Sequence, residues 1–554
     1  MLATVYAQGG RGGAEWTTGG ADAQRTAWVK TDPRISPGTM VKPGEFGSFK
    51  LLWKVKLEYD PKALTQLTAP VVLDRLIGFR GFKSIAFVGT QSQTIHAIDY
   101  DVGEPLWKYH INYTASPPPL LTGTPECPVG LSAGPSRPTA FAPSAGGGRG
   151  GGFGRGGRSG GGVGEPGKGA TTLATAGQAR GGGPPGGAPG GAPGRGPAAP
   201  GSAGGAVPGS AAAAAGNQPG GLPGGARQGG PGGGGFGGGP FVPGQDAAYV
   251  IGTDGYLHAL NVQNGWDSMT PALFLPANTR ATGLIIATPL EGAPIAYAAT
   301  TDRCGSQPDA VWAMDLANPE KSVTAFRVGD AVIAGADGAA IGRDGTLFVT
   351  TKAGSAPTSG SIFALEGRTL KPRASAKLDQ NGFTSSPMVI TWKDRDAVVA
   401  AGGGKIHLMD AASLSTLARS ASFGTPDYET GALASWTDAQ GTRWVAATTP
   451  HGISTFKIVD EGGKPAFQAG WTSREIASPL PPLVVNGVLF AASTGSRTTP
   501  AVLYGIDAAT GKDLWNSGRG ITSAVGGGLA AGAGTIFVGG ADSTLYAFGF
   551  EIEK

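Results

Sequence analysis

Cysteine and histidine are scarce in this chain of 554 residues, which has two of the first and five of the second. Cys127 and Cys304 lie far apart, so no Cys-x-x-Cys-His is present and covalent haem attachment is excluded. No two cysteines are adjacent. No stretch is long and apolar enough to read as a membrane-spanning helix. Charge is sparse too, at 15% of residues with a formal net charge of +4.

Acidic residues are nearly missing from one region. Between Ala145 and Gly244 there are seven basic residues and one acid, Glu165, so this stretch carries +6 and the rest of the chain −2. The rest is close to neutral and offers no basic face for nucleic acid. The same stretch holds 44 of the 99 glycines. Gly, Pro and Ala cannot bury enough apolar surface there to offset the entropy of ordering, so 143–244 is expected to be a disordered insertion. Its run from Gly147-Gly148-Arg149 to Arg158-Ser159-Gly160 resembles the Arg-Gly-Gly runs of RNA-binding proteins, but its sparse aromatics favour a solvated linker.

A short pattern is repeated eight times through the remainder. It reads Ile95-His96-Ala97-Ile98-Asp99, Leu257-His258-Ala259-Leu260-Asn261, Val311-Trp312-Ala313-Met314-Asp315 and Ile362-Phe363-Ala364-Leu365-Glu366. It continues as Ile406-His407-Leu408-Met409-Asp410, Ile453-Ser454-Thr455-Phe456-Lys457, Leu503-Tyr504-Gly505-Ile506-Asp507 and Leu545-Tyr546-Ala547-Phe548-Gly549. Apart from the gap holding the insertion, the copies recur every 42 to 54 residues. Alternating strands at such a period, with Gly, Asp and Asn at the breaks, predict an all-β, eight-bladed β-propeller of four-stranded blades. The eighth blade runs out of chain before its fourth strand. Phe49-Lys-Leu-Leu-Trp-Lys-Val-Lys-Leu57 has the matching pattern and is expected to complete it, closing the ring and leaving no open edge. The organisation is then a lead-in over 1–45, propeller over 46–142, the insertion over 143–244 and propeller over 245–554. The first strand of blade 2 is expected near Arg137–Phe141.

The fullest repeat, Leu503-Tyr504-Gly505-Ile506-Asp507-Ala508-Ala509-Thr510-Gly511-Lys512-Asp513-Leu514-Trp515, closely resembles the Ala-x-Asp-x-x-Thr-Gly-x-x-x-Trp repeat of pyrroloquinoline-quinone (PQQ) propellers. Ala97 to Trp107 is a degenerate copy and Ala259 to Gly265 a weaker one. Trp16, Gly20 and Arg25 resemble the lead-in found before many such propellers and are expected to pack across the ring. The resemblance covers about 45–143 and 245–554. It implies either of two branches: dehydrogenases of alcohols and sugars, with PQQ, a Ca²⁺ or lanthanide ion and an Asp base, or non-enzymatic propellers, including a periplasmic scaffold. The physical reading of the motif is structural. Asp and Thr-Gly form the turn between third and fourth strands, and Trp lies on the fourth strand, where it can pack on the next blade.

Candidate site residues follow from the strand order. Loops entering the first strands carry Arg137, Ser385, Ser386, Tyr428, Glu429, Thr430, Thr522 and Ser523. Asp302, Arg303 and Lys352 lie in or beside turns between second and third strands. Both kinds of loop gather at one mouth of the central channel, where a small ligand would bind. Glu429 is the candidate metal ligand. His96, His258 and His407 fill an equivalent slot in three separate blades, which reads as packing. Cys127 and Cys304 fall in loops on that same face, as a disulfide in an oxidising compartment or as two free thiols. Val5-Tyr6-Ala7-Gln8 has the form of the end of a secretory signal cleaved after Ala7, giving a periplasmic or secreted location. A monomeric binding or scaffold module is expected, with a small molecule or a cell-envelope protein as partner and no nucleic acid. A PQQ-dependent oxidoreductase is the alternative.

Overall fold

The computed structural model describes residues 16–140 and 246–551, except 43, 45–46, 60–65, 79–80, 114–126, 128–129, 290–292, 305–307, 319 and 379–381. All of these belong to one compact unit of the chain, Met1–Gly148 with Phe241–Lys554. The expected insertion and the signal-like start lie outside the described residues.

Eight sheets form the blades of the propeller. All eight repeated segments are third strands, from Thr94–Asp99 in blade 1 to Thr544–Gly549 in blade 8. Second and third strands are buried almost throughout, as in Ala310–Asp315 and Thr535–Gly540, because each blade is sandwiched between two others. Fourth strands alternate between half-buried and exposed, as in Glu104–His110. Lys50–Lys56 pairs antiparallel with Thr544–Gly549 and is the outermost strand of blade 8, so the ring closes as the sequence implies.

Blade 2 departs from expectation. Ser136 makes one antiparallel bridge to Tyr249. The chain then crosses, and Pro138–Ala140 pairs in parallel with the innermost strand of blade 3 at Ile286 to Thr288. Pro138 has no N–H to continue a ladder with blade 2, which accounts for the break. Phe141 lies outside the described residues.

The fourth-strand tryptophans dock blade on blade. Trp53 Nε1 donates to the Tyr100 carbonyl at 2.8 Å, Trp107 to Val262 at 2.9 Å and Trp471 to Ala508 at 3.0 Å. Each indole lies over the glycine of that neighbouring turn: Gly103, Gly265 and Gly511. A Cβ on any of the three would come within 2.7 Å of the ring. Blades 4 and 5 follow blades whose fourth strands lack Trp, and their turns place Leu370 and Leu414 at the glycine position. Both leucines have positive φ and both are buried in the space between blades.

The lead-in threads around the axis and meets every blade in turn. The carbonyls of Trp16, Thr17, Ala23, Gln24, Thr26 and Ala27 accept from Val72, Arg137, Ile341, Val389, Ser435 and Val484, in blades 1, 2, 4, 5, 6 and 7, at 2.7–2.9 Å. Thr18 Oγ1 donates to Leu284 of blade 3, and Asp32 Oδ2 accepts from Gly534 of blade 8. Trp28–Val29 pairs in parallel with Leu483–Val485. Backbone groups on the channel side of the blades would otherwise be unpaired, and this segment satisfies them in blades 1 to 7, while in blade 8 it meets Gly534 in the turn after the innermost strand.

Candidate functional site

A cavity of about 410 Å³ opens on the axis above the lead-in. Trp16, Gly19, Gly20 and Ala27 form part of its floor. Much of its wall is backbone and small side chains, from Ala133-Gly134, Gly335-Ala336 and Gly526-Gly527-Gly528. Gly527 is required by close approach, since a Cβ there would lie 1.8 Å from the Leu67 carbonyl.

Arg25 anchors the floor. It is 2% exposed, and its guanidinium donates to Ala339 O at 3.1 Å, Thr18 Oγ1 at 2.9 Å, Gly283 O at 2.8 Å and Gly19 O. Burial lowers its pKa, and the charge of Asp337, which lines the cavity, opposes that shift. Burial in turn raises Asp337, against the pull of Arg25.

Polar side chains concentrate on one side of the mouth. Arg280 opens the innermost strand of blade 3, opposite Thr301 of the second strand. This register brings it to Asp302 in the next turn, Nη1 to Oδ2, at 3.1 Å. Lys352 Nζ, just beyond the second strand of blade 4, lies 3.7 Å from Asp302 Oδ1 and 2.7 Å from Glu429 Oε1, on the loop entering blade 6. Arg280, Asp302, Lys352 and Glu429 therefore form one chain of alternating charge, and all four line the cavity. Gln66 and Gln91 line it from the blade 8 and blade 1 side.

The other sequence candidates are placed elsewhere. Arg137 is buried beside the lead-in, where its N–H meets Thr17. Arg303 turns outward to Asp330 at 3.2 Å. Ser385 is fully buried and bonds Ser386 and Ala401 within the backbone framework. Thr522 bonds the hydroxyl of Tyr546 at 3.0 Å. Tyr428 is held by its backbone on Thr425, and burial raises its pKa. None of these five lines the cavity. Arg280 was not among the candidates. The signal that could have found it is its place at a first-strand entry, two strands of one hairpin away from Asp302.

Cys127 and Cys304 are joined, with Cα atoms 5.5 Å apart. The bond ties the loop between blades 1 and 2 to the same hairpin that carries Asp302. Asp309 ends that hairpin. It is fully buried, its Oδ1 accepts from Arg303 N at 3.0 Å, and its Oδ2 has no partner among the described residues. Burial, with some help from Asp302, pushes its pKa up to about 7. The three slot histidines take separate partners. His96 lies 3.8 Å from Glu58, His258 lies 3.3 Å from Asp267, and His407 Nε2 lies 3.1 Å from the Gly402 carbonyl.

No protein-family model matches the chain, and no curated protein matches it in sequence. Its fold is similar to solved structures. The quinohemoprotein alcohol dehydrogenase from Comamonas testosteroni superposes with a TM-score of 0.52 at 12% identity, over 98% of this chain and 81% of that one. A quinohemoprotein alcohol dehydrogenase from Pseudomonas putida HK5 gives 0.53 at 11%, with the same coverage. A europium-containing methanol dehydrogenase gives 0.52 at 10%, over 98% of both chains. At such identities the likeness establishes the fold alone.

Proposed function

We propose that this propeller is an exported binding module that takes a small polar molecule into the axial cavity. The observation that carries this reading is the cavity itself. Its volume lies in the range of small-molecule sites, its floor is fixed by a buried arginine, and its charged groups converge on one side. The joined cysteines suit an oxidising compartment such as the periplasm.

A PQQ-dependent oxidoreductase acting on an alcohol or sugar is the second reading. It is favoured by the fold shared with the dehydrogenases above. Arg280 and Lys352 are the residues present that suit the carboxylates of the quinone, which would supply hydride acceptance when bound. The metal half of that chemistry fits poorly. The carboxylates lining the cavity, Asp302, Asp337 and Glu429, are each matched with an Arg or Lys of the protein. Among the described residues no group of three His, Cys, Asp or Glu is placed to hold a metal ion.

The test is calorimetric titration of the purified protein with PQQ, with and without Ca²⁺ or La³⁺, and with a panel of sugars and alcohols. Dye reduction is followed in parallel. Binding of a panel compound that weakens in Glu429→Ala and Arg280→Ala, without dye reduction, supports the binding module. Metal-dependent quinone binding with turnover replaces it by the oxidoreductase. No binding by any compound sinks both small-molecule readings and leaves a protein partner in the cell envelope.

A further inference from the structure

We propose that Lys352 is a built-in cation that occupies the place of a metal ion at the cavity mouth, so that this site works without one. The proposal concerns the same cavity as the binding reading. Its readout is metal binding, not ligand binding, so the two can fail separately.

Asp302 and Glu429 come from blades 3 and 6 and converge on one point. Two carboxylates so placed repel each other unless positive charge sits between them. In this chain the charge is Lys352 Nζ, within 3.7 and 2.7 Å of the two groups. The lysine backbone is held on both sides, its N–H by the Val332 carbonyl and its carbonyl by the Gly360 N–H, each at 2.8 Å. The side chain is thus projected from a fixed strand end.

Each carboxylate already has a cation of the protein beside it, Glu429 having Lys352 at 2.7 Å and Asp302 having Arg280 at 3.1 Å. Asp302 spends its second oxygen on Arg280. Ca²⁺ would require about six to eight oxygen ligands, whereas an ammonium needs only acceptors for its three N–H groups. Two cations and two anions bring the cluster to neutrality, so a di- or trivalent ion entering it would meet Lys352 and Arg280 as repelling neighbours. Lys352 and Asp302 are half-buried, at 29% and 16% side-chain exposure, whereas Arg280 at 43% and Glu429 at 58% are open to water, so the repulsion comes chiefly from Lys352. The same geometry predicts a reversal. With the ammonium removed, Glu429 loses its counter-charge and Asp302 keeps only Arg280, so the cluster is left with one net negative charge and gains affinity for a cation.

The experiment is titration with Tb³⁺, followed by luminescence and calorimetry, on the full chain. Wild type, Glu429→Gln, Lys352→Met and the double variant Lys352→Met/Glu429→Gln are compared. The quantity read is the Glu429-dependent part of the binding. Lys352→Gln, which keeps length and polarity, is run beside Lys352→Met to guard against a folding defect. The expected result is no Glu429-dependent binding in wild type and a gain of about tenfold or more in either lysine variant, lost again in the double variant. Glu429-dependent Tb³⁺ binding by wild type overturns the proposal. So does a folded lysine variant that gains none.

Discussion

The indole of Trp471 in blade 6 donates to the carbonyl of Ala508 in blade 7, 3.0 Å away, and lies flat over the glycine three residues further on. The aromatic and the missing side chain belong to different blades but make one joint. Where a fourth strand carries Ala374 in place of Trp, the next turn supplies Leu414 to fill the space.

This joint makes a substitution test of its own. Gly511→Leu alone should destabilise by about 3 kcal/mol, because the new side chain meets the indole. Trp471→Ala alone leaves a cavity and should cost a similar amount. The pair together should be more stable than either single variant, since it recreates the arrangement at Leu414. Urea unfolding of the four proteins reads this directly. Additive losses in the pair would refute the joint.

Acid should strengthen the fold near neutrality through Asp309. Its folded pKa of about 7 stands above the unfolded value of 3.8, so the folded state binds the extra proton between these limits. Its contribution is most unfavourable above pH 7 and is relieved as pH falls from there towards 4. His96 acts the other way. Burial depresses it from 6.5 to about 4, so its contribution is full above 6.5 and is lost as pH falls through that window. Asp309→Asn should therefore be more stable than wild type at pH 8 and should match it more closely at pH 5. Melting temperatures at both values check the sign, and an equal offset at both would contradict it.

Arg25→Met should loosen the floor of the cavity. It removes donors to three carbonyls and one hydroxyl in a fully buried place, and it leaves Asp337 without its counter-charge. Loss of a buried charged partner of this kind costs about 3–5 kcal/mol. Thermal unfolding measures that loss. Amide exchange at Ile341 and Val389, whose N–H groups rest on the lead-in, should rise in step.

The blades were legible because each third strand repeats an alternating pattern, and burial between neighbouring blades imposes that alternation. The closing strand was legible for the same reason, through Leu52-Trp53-Lys54. The cavity was less so. Asp302, Lys352 and Glu429 could be placed by loop type, but Ser385 and Thr522, on equivalent loops, turn into the framework. Loop type fixes the face, and side-chain direction depends on local hydrogen bonds that no spacing reveals. Part of the wall is glycine and alanine, at Ala133-Gly134, Gly335-Ala336 and Gly526 to Gly528, which leave no side-chain pattern to read. The circuit of the lead-in was hidden because its contacts use its own carbonyls, which every residue has.

That circuit bears on the order of assembly. Residues 16–32 are translated before any blade, yet they rest on all eight, and the outer strand of blade 8 is likewise made before blade 1. The closing strand cannot pair until Thr544–Gly549 exists, and the lead-in completes its circuit only when Gly534 of blade 8 is made. Until then blade 8 has no inner strands for its outer strand to pair with, and the ring stays open. The ring closes late, when Lys50–Lys56 meets Thr544–Gly549.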